Sequence, residues 1–499
     1  MNQQIKKGAL ISYLTIIFNI LSVLLYTPFL IRSLGSSEYA IYTLVYSFIS
    51  YFTIDFGIGS SVARFITDFR YRVDAEYTEK QLLTVVFKVF FLLAIVLGLV
   101  FSVIYPFLGN FFSGLTPDEI IQMRKAYSVA AFYTVFAFAA TPFEGIFTAN
   151  EYFVAFKLYH LLQKILTVIF TLIVLVMNWG LLMVMWAGTA GGMIIIVLEG
   201  LYLLRKKAIE IEWSYWNFSL LKKIISFSIW MAVVSFAQRF IIPITPTILG
   251  RFSDSSEIAV FSVASTLEGY IFTFGAVVSG LFLPEVSRLI NGNNRERLNR
   301  LFVKIGRIQL IIIGAILTAA ADFGKEFIIL WAGEEYRKSY YILLIISMSN
   351  VVYVTQQIAS TVLIVMNEVR YRAMVYICGA AVSVLGSCML APRYGAVGAA
   401  CGIAVCLWGF NVLAMTIVYQ KVARLDIKGF FRKCHMAMLP YFISYGAVWF
   451  FLNRYLPGGK WEYLVIKGSF WGAGFMILLF GKILNAEEKN AVTKFLKRK

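Results

Sequence analysis

LLTVVFKVFFLLAIVLGLVFSVIY, residues 82–105, holds one charge, Lys88, in an otherwise apolar run. A bilayer core about 30 Å thick takes roughly 20 such residues per helical crossing. Without water to satisfy its backbone, the run must close its own hydrogen bonds as a helix. It is apolar on every side, so it matches neither the stripe of a surface helix nor the alternation of a strand. Similar runs lie near residues 8–31, 40–67, 126–149, 158–178, 181–204 and 224–250, then 258–286, 305–322, 341–366, 373–390, 397–420, 435–453 and 463–481. The sequence therefore predicts an all-α, polytopic membrane protein of 14 transmembrane helices.

The composition excludes the soluble classes. The 499 residues are 60% hydrophobic and 14% charged, with a mean hydropathy of +0.77, whereas a soluble domain carries about a quarter charged residues. Forty-four Phe and 28 Tyr give far more apolar surface than a disordered chain has. A net charge of +18 would suggest nucleic acid in a soluble protein, but the positions of the bases argue otherwise. The N-terminus and every second connection hold 29 of the 45 Lys and Arg, and the opposite connections hold 10. This bias predicts both termini in the cytoplasm and no nucleic-acid partner. Clusters such as Arg205-Lys206-Lys207 and Lys497-Arg498-Lys499 suit anionic lipid head groups.

The first span exceeds a signal-peptide core in length and reads as an uncleaved signal-anchor. Four of the five cysteines fall in spans, and His160 and His435 are isolated, so neither a disulfide framework nor a metal site is expected. No P-loop, nucleophile elbow, dinucleotide fingerprint or zinc-protease motif is present, which argues against an enzyme and against a cofactor.

The chain repeats itself. Spans one and seven both end in Thr-Pro, at Thr27-Pro28 and Thr245-Pro246. Ser-Ser-Glu follows at Ser36-Ser37-Glu38 and Ser255-Ser256-Glu257, offsets of 218 and 219 residues. Asn150-Glu151 and Asn367-Glu368 match at 217, each followed by a base and a tyrosine, Lys157 with Tyr159 and Arg372 with Tyr376. These matches predict two six-helix lobes, residues 1–222 and 223–434, and a C-terminal helix pair with its tail at 435–499. Six helices per copy keep the orientation, so the lobes form a parallel duplication. Connections too short for a soluble domain favour a transporter that rocks two lobes around a central site.

Candidate site residues follow from polar groups inside spans. Span one carries Ser12, Thr15, Asn19, Ser22 and Tyr26 on one helical face, and span ten carries Ser349, Tyr353, Gln356 and Ser360. Such faces either pack helices or line a polar passage. Arg239 lies in span seven with Ser228, Ala232 and Ser235 on its face. A charge near mid-membrane costs at least about 2.5 kcal/mol, so it must meet water, a carboxylate or an anionic substrate. Candidate carboxylates are Asp55, within Asp55-Phe56-Gly57-Ile58-Gly59, and Glu268; either could instead bind Na⁺ or H⁺ for coupling. Gly57 and Gly59 loosen the chain beyond Asp55, as Pro243 and Pro246 do beyond Arg239. Lys88 and Lys164 read as snorkelling cations or, for Lys164 with Arg64, a cationic entrance. Lys467 reads as an interfacial anchor.

The stretch from Thr27-Pro28-Phe29-Leu30-Ile31-Arg32 through Gly35-Ser36-Ser37-Glu38-Tyr39, with Asp55-Phe56-Gly57-Ile58-Gly59 and Arg64, resembles the opening of bacterial oligosaccharide and O-antigen lipid-carrier flippases. These form the polysaccharide-transport branch of the multidrug/oligosaccharidyl-lipid/polysaccharide exporter superfamily. The resemblance implies a cytoplasmic-membrane protein moving undecaprenyl-pyrophosphate-linked oligosaccharide, for O-antigen, capsule or exopolysaccharide, across the bilayer by alternating access. It implies a cationic cavity at Arg239, with Arg32 and Arg64 nearer its mouths, and partners among glycan polymerases and glycosyltransferases. Related peptidoglycan-precursor flippases carry arginines within the first helix; this first span has none before Arg32. The other readings are a multidrug/cation antiporter of the same superfamily, which needs carboxylates against its substrate, and a membrane-embedded glycan polymerase or ligase.

Overall fold

The computed structural model describes residues 3–53, 62, 66, 78–280, 282–486 and 488–490. Asp55, Gly57, Gly59, Arg64 and the Lys497–Lys499 tail lie outside them. Among the described residues the regular structure is helical, with no strand. In the first half run α1 (Gln3–Ser50), α2 (Glu79–Ile104), α3 (Pro117–Ala139), α4 (Pro142–Ala149), α5 (Phe153–Val176), α6 (Gly180–Arg205) and α7 (Phe218–Arg239). Then come α8 (Thr245–Phe252), α9 (Ser255–Gly280), α10 (Leu283–Asn291), α11 (Arg295–Trp331), α12 (Ser339–Thr355) and α13 (Gln357–Val365). The chain ends with α14 (Val369–Cys406), α15 (Met415–Lys421), α16 (Ile427–Phe431), α17 (Ala437–Asn453) and α18 (Trp461–Leu478). Polar caps start several of them. Thr78 and Gln81 exchange side-chain and backbone bonds ahead of α2, as do Thr116 and Glu119 ahead of α3.

Among the described residues ten helices are long and apolar enough to cross a membrane, or eleven when the bent pair α12 and α13 is one span. The chain is a multi-pass membrane protein. The number falls below the 14 expected because two pairs of spans run together at glycines, span ten counts only as the bent pair, and α7, in place of span seven, is not among the qualifying helices. Gly35 breaks α1 with φ 75°, and Gly395 breaks α14 with φ 57°, conformations that glycine adopts without a Cβ clash. Beyond each break the chain folds back on itself. Ser387 Oγ donates to the Ala399 carbonyl across the second hairpin, 3.1 Å.

The second hairpin closes through bare backbone. A Cβ on Gly402 would lie 2.5 Å from Ser387 N and 2.6 Å from the Gly386 carbonyl carbon. In lipid, helices associate by this kind of close packing and not by burial from water. Gly402→Val is therefore expected to separate the two segments and lower the yield of monodisperse protein on size-exclusion chromatography. An unchanged elution profile and yield would remove that role.

By contact the chain forms two compact units, Met1–Ala259 with Ala391–Gly395, and Val260–Leu390 with Ala396–Lys499. In the first, α5 packs on α1 and α6, and α3 on α1, α2 and α6. In the second, α11 is the hub, packing on α12, α17 and α18. The duplication shows in the punctuation. Glu79 and Arg295 start helices 216 residues apart, as do Phe153 and Val369; Ala139 and Thr355 end helices at the same spacing, as do Arg205 and Lys421. Left-handed residues recur at Glu151 (φ 56°) and Asn367 (φ 58°). The structural register is thus one residue off the Asn150 to Asn367 match, so Glu151, not Asn150, corresponds to Asn367.

Candidate functional site

Arg239 is the last residue of α7, and the sequence four residues on explains why. Pro243 lacks the N–H that would bond the Arg239 carbonyl, and its ring would clash there. The chain instead takes tight i to i−3 turns, Phe240 N to Ala237 O, Ile241 N to Gln238 O and Thr245 N to Ile242 O, as α8 restarts with Pro246 in its first turn. This leaves the Pro243 carbonyl outside the helical ladder, where it must find other donors. Ser47 Oγ and Tyr51 Oη both donate to it, the latter at 3.0 Å. Tyr51 Oη also lies 2.6 Å from Thr247 Oγ1, and its ring packs on Phe240.

One hydroxyl cluster thus joins the end of α1 to the break after Arg239. Arg239 precedes Pro243 by four residues, so the cluster fixes the segment just beyond Arg239 to the end of α1. Arg239 is half-buried, and its side chain makes no ion pair or hydrogen bond with any described residue. Elsewhere in this unit Asn19 is half-buried and Arg32 is exposed. Lys88 reaches the connection between α6 and α7. Its ammonium donates to the backbone carbonyls of Trp213 and Tyr215, the latter at 3.1 Å.

The second unit holds Glu268 and Gln356. Glu268 on α9 is buried, and Asn350 on α12 donates its Nδ2 to Oε1 at 2.6 Å. Gln356 is fully buried at the 47° bend between α12 and α13, its Nε2 donating to Thr416 Oγ1 at 3.1 Å. A third group is visible in the sequence only as a repeat marker. Tyr376 Oη donates to Tyr353 Oη, 3.1 Å, and the Arg372 guanidinium sits 5.0 Å over the Tyr376 ring with its Nε unpartnered. Ser47, Tyr51, Asn350 and Arg372 are not predicted as site residues by the sequence. Tyr51 and Ser47 carry no intramembrane charge to flag them, and Asn350 shows only through Glu268. Lys467 is not an interfacial anchor: it is buried and pairs with Glu326 at 2.8 Å.

Solved structures share this multi-pass fold with its broken helices. The lipid II flippase MurJ in an inward closed conformation matches with a TM-score of 0.73 at 13% identity, covering 95% of this chain and 98% of that one. An inward-facing multidrug resistance MATE family transporter of the MOP superfamily matches at 0.65 and 13%, covering 85% and 99%. The Vibrio cholerae MATE transporter VcmN in its bent form matches at 0.52 and 14%, covering 86% and 98%. No curated protein sequence matches the chain. Residues 5–289 match the polysaccharide biosynthesis protein family, and the chain belongs to that family.

Proposed function

We propose that this protein is a flippase that carries an undecaprenyl-pyrophosphate-linked oligosaccharide, the repeat unit of O-antigen, capsule or exopolysaccharide, across the cytoplasmic membrane by alternating access. The family membership and the transporter fold support the class. The observation that carries the substrate reading is Arg239, a half-buried cation at a helix break with no described partner, where a pyrophosphate supplies the counter-charge. A sugar head group exposes hydroxyls that each cost several kcal/mol in hydrocarbon without partners, so a polar passage removes the barrier while the lipid tail stays in the bilayer. With the cell interior negative, each negative charge moving outward is favoured by about 2.3 kcal/mol per 100 mV. Asp55 or Glu268 serves Na⁺ or H⁺ coupling in this scheme. A strain lacking the gene is expected to accumulate lipid-linked oligosaccharide in the inner leaflet and to regain surface glycan on complementation. Ethidium efflux without any effect on glycan would instead favour a multidrug antiporter.

The Lys and Arg bias places both termini in the cytoplasm. Tyr455 is 85% exposed in the α17 to α18 connection, so a cysteine there should react with an impermeant maleimide on intact cells, and one at Asn490 should not. Labelling at Asn490 from outside would reverse the orientation.

A further inference from the structure

At the C-terminal end of α11 the second unit encloses a pocket of about 540 Å³, lined by Asp322, Lys325, Ile329, Phe450, Asn453 and Arg454 among others. Its charges are sorted by depth. Asp322 is 8% exposed, and its carboxylate takes one hydrogen bond, from Trp471 Nε1 to Oδ2 at 3.1 Å; no base among the described residues pairs with it. The Asn453 amide donates to the Asp322 carbonyl at 2.9 Å, which leaves its buried Oδ1 without a donor. The inner part therefore offers two acceptors and no cation. At the rim Lys325 and Arg454 are exposed, and neither side chain has a partner among the described residues. The remaining lining carboxylates are occupied, Glu326 by Lys467 and the Gly459 amide and Glu334 by Arg337.

We infer that this pocket binds the phosphoethanolamine head group of a phospholipid, with the ammonium on Asp322 and Asn453 Oδ1 and the phosphate on Lys325 and Arg454. A buried carboxylate without a cation is costly, and a primary ammonium supplies both the charge and the hydrogen-bond donors for two acceptors. Lys325 sits three residues beyond Asp322, about 4.5 Å further along the helix axis, a separation that suits the two-carbon bridge between ammonium and phosphate. Ile329, Leu330 and the 64%-exposed Phe450 give the acyl chains an apolar flank. A choline head group has the same charges and no ammonium N–H, so the orphan acceptors discriminate between the two lipids. This inference is independent of what the protein transports.

The test uses the full chain in phosphatidylcholine nanodiscs containing either phosphatidylethanolamine or phosphatidylglycerol, with native mass spectrometry of retained lipid and unfolding temperature as readouts. Wild-type protein should retain phosphatidylethanolamine roughly tenfold over phosphatidylcholine and unfold at a higher temperature in its presence. Asp322→Asn keeps an acceptor for Trp471 and should lose that preference. Lys325→Gln with Arg454→Gln, both on exposed side chains that leave folding intact, should weaken retention as well, and this variant decides the matter if Asp322→Asn does not fold. Equal retention of the ethanolamine and choline lipids overturns the proposal, as does an undiminished preference in the variants. Displacement by equimolar phosphatidylglycerol also overturns it, because it would show that the rim bases merely gather anionic lipid.

Discussion

Replacing Arg239 with alanine is expected to abolish surface glycan while leaving folded protein near its wild-type amount. The helix that carries this residue stops there, because Pro243 has no N–H to donate to the Arg239 carbonyl. A cation at such a break is held by the chain's geometry, and no described group neutralises it. Losing a charge-assisted contact to pyrophosphate then costs transport and not folding. Arg239→Lys should keep part of the activity, since an ammonium supplies a point charge without the bidentate fork. The competing case is an ion pair with Asp55, which follows Tyr51 by four residues in the chain. In that case Arg239→Ala strands a carboxylate, and detergent-stable protein falls with glycan. Combining it with Asp55→Asn would then restore both quantities, and that rescue would falsify the substrate-binding role.

Arg307→Ala is expected to lower detergent stability more than any other single charge removal. The guanidinium binds Glu488 through two bonds, Nε to Oε1 at 2.7 Å and Nη2 to Oε2 at 2.9 Å, and donates to the carbonyls of Lys433 and Ile483, each at 2.9 Å. Both side chains are about nine-tenths buried. Removing one member of such a pair costs about 3–5 kcal/mol, because the other remains buried and unpaired. Burial by itself would raise the Glu488 carboxyl, but the Arg307 hydrogen bonds, with that from the Asn485 amide, outweigh it and hold the group below its ordinary range. A carboxyl depressed in the folded state adds stability above its unfolded pKa and loses it as the pH falls through the folded value. Wild-type unfolding temperature should therefore drop on acidification below the usual carboxylate range, and the drop should be shallower in Glu488→Gln. A pH profile identical in the two proteins, or an Arg307→Ala protein as stable as wild type, would refute the clamp.

How far the sequence speaks depends on the kind of signal. Apolar runs announce the helices, and the Thr-Pro and Ser-Ser-Glu matches announce the duplication, because both are written in composition and spacing. Helix ends are hidden wherever charges continue a helix beyond its apolar part. The apolar run of span nine covers 305–322, yet α11 extends over Arg295–Trp331, since its first turns are polar and helical and Glu326 near its end is paired with Lys467. Lys467 resembles an anchor for the same reason: a partner 141 residues away in the chain leaves no local trace. Arg239, Glu268 and Gln356 are legible as polar groups in apolar surroundings. Ser47 and Tyr51 are not, because their task is to satisfy a carbonyl that Pro243's neighbours release, and only the folded chain brings them to it.

The two copies of the broken span differ in how their joint is made. Between α3 and α4, Pro142 supplies no N–H, so straightening the chain there could not complete the hydrogen-bond ladder. Between α12 and α13 there is no proline, every residue keeps its donor, and the bend coincides with the Gln356 bond to Thr416. The first joint is fixed by covalent structure. Among the described residues the second, at 47°, is the pair bent beyond 40°, while Pro117–Ala149 runs on as one span. With every donor present the bent joint is the one that can also straighten, so in this protein freedom to flex lies where proline is absent.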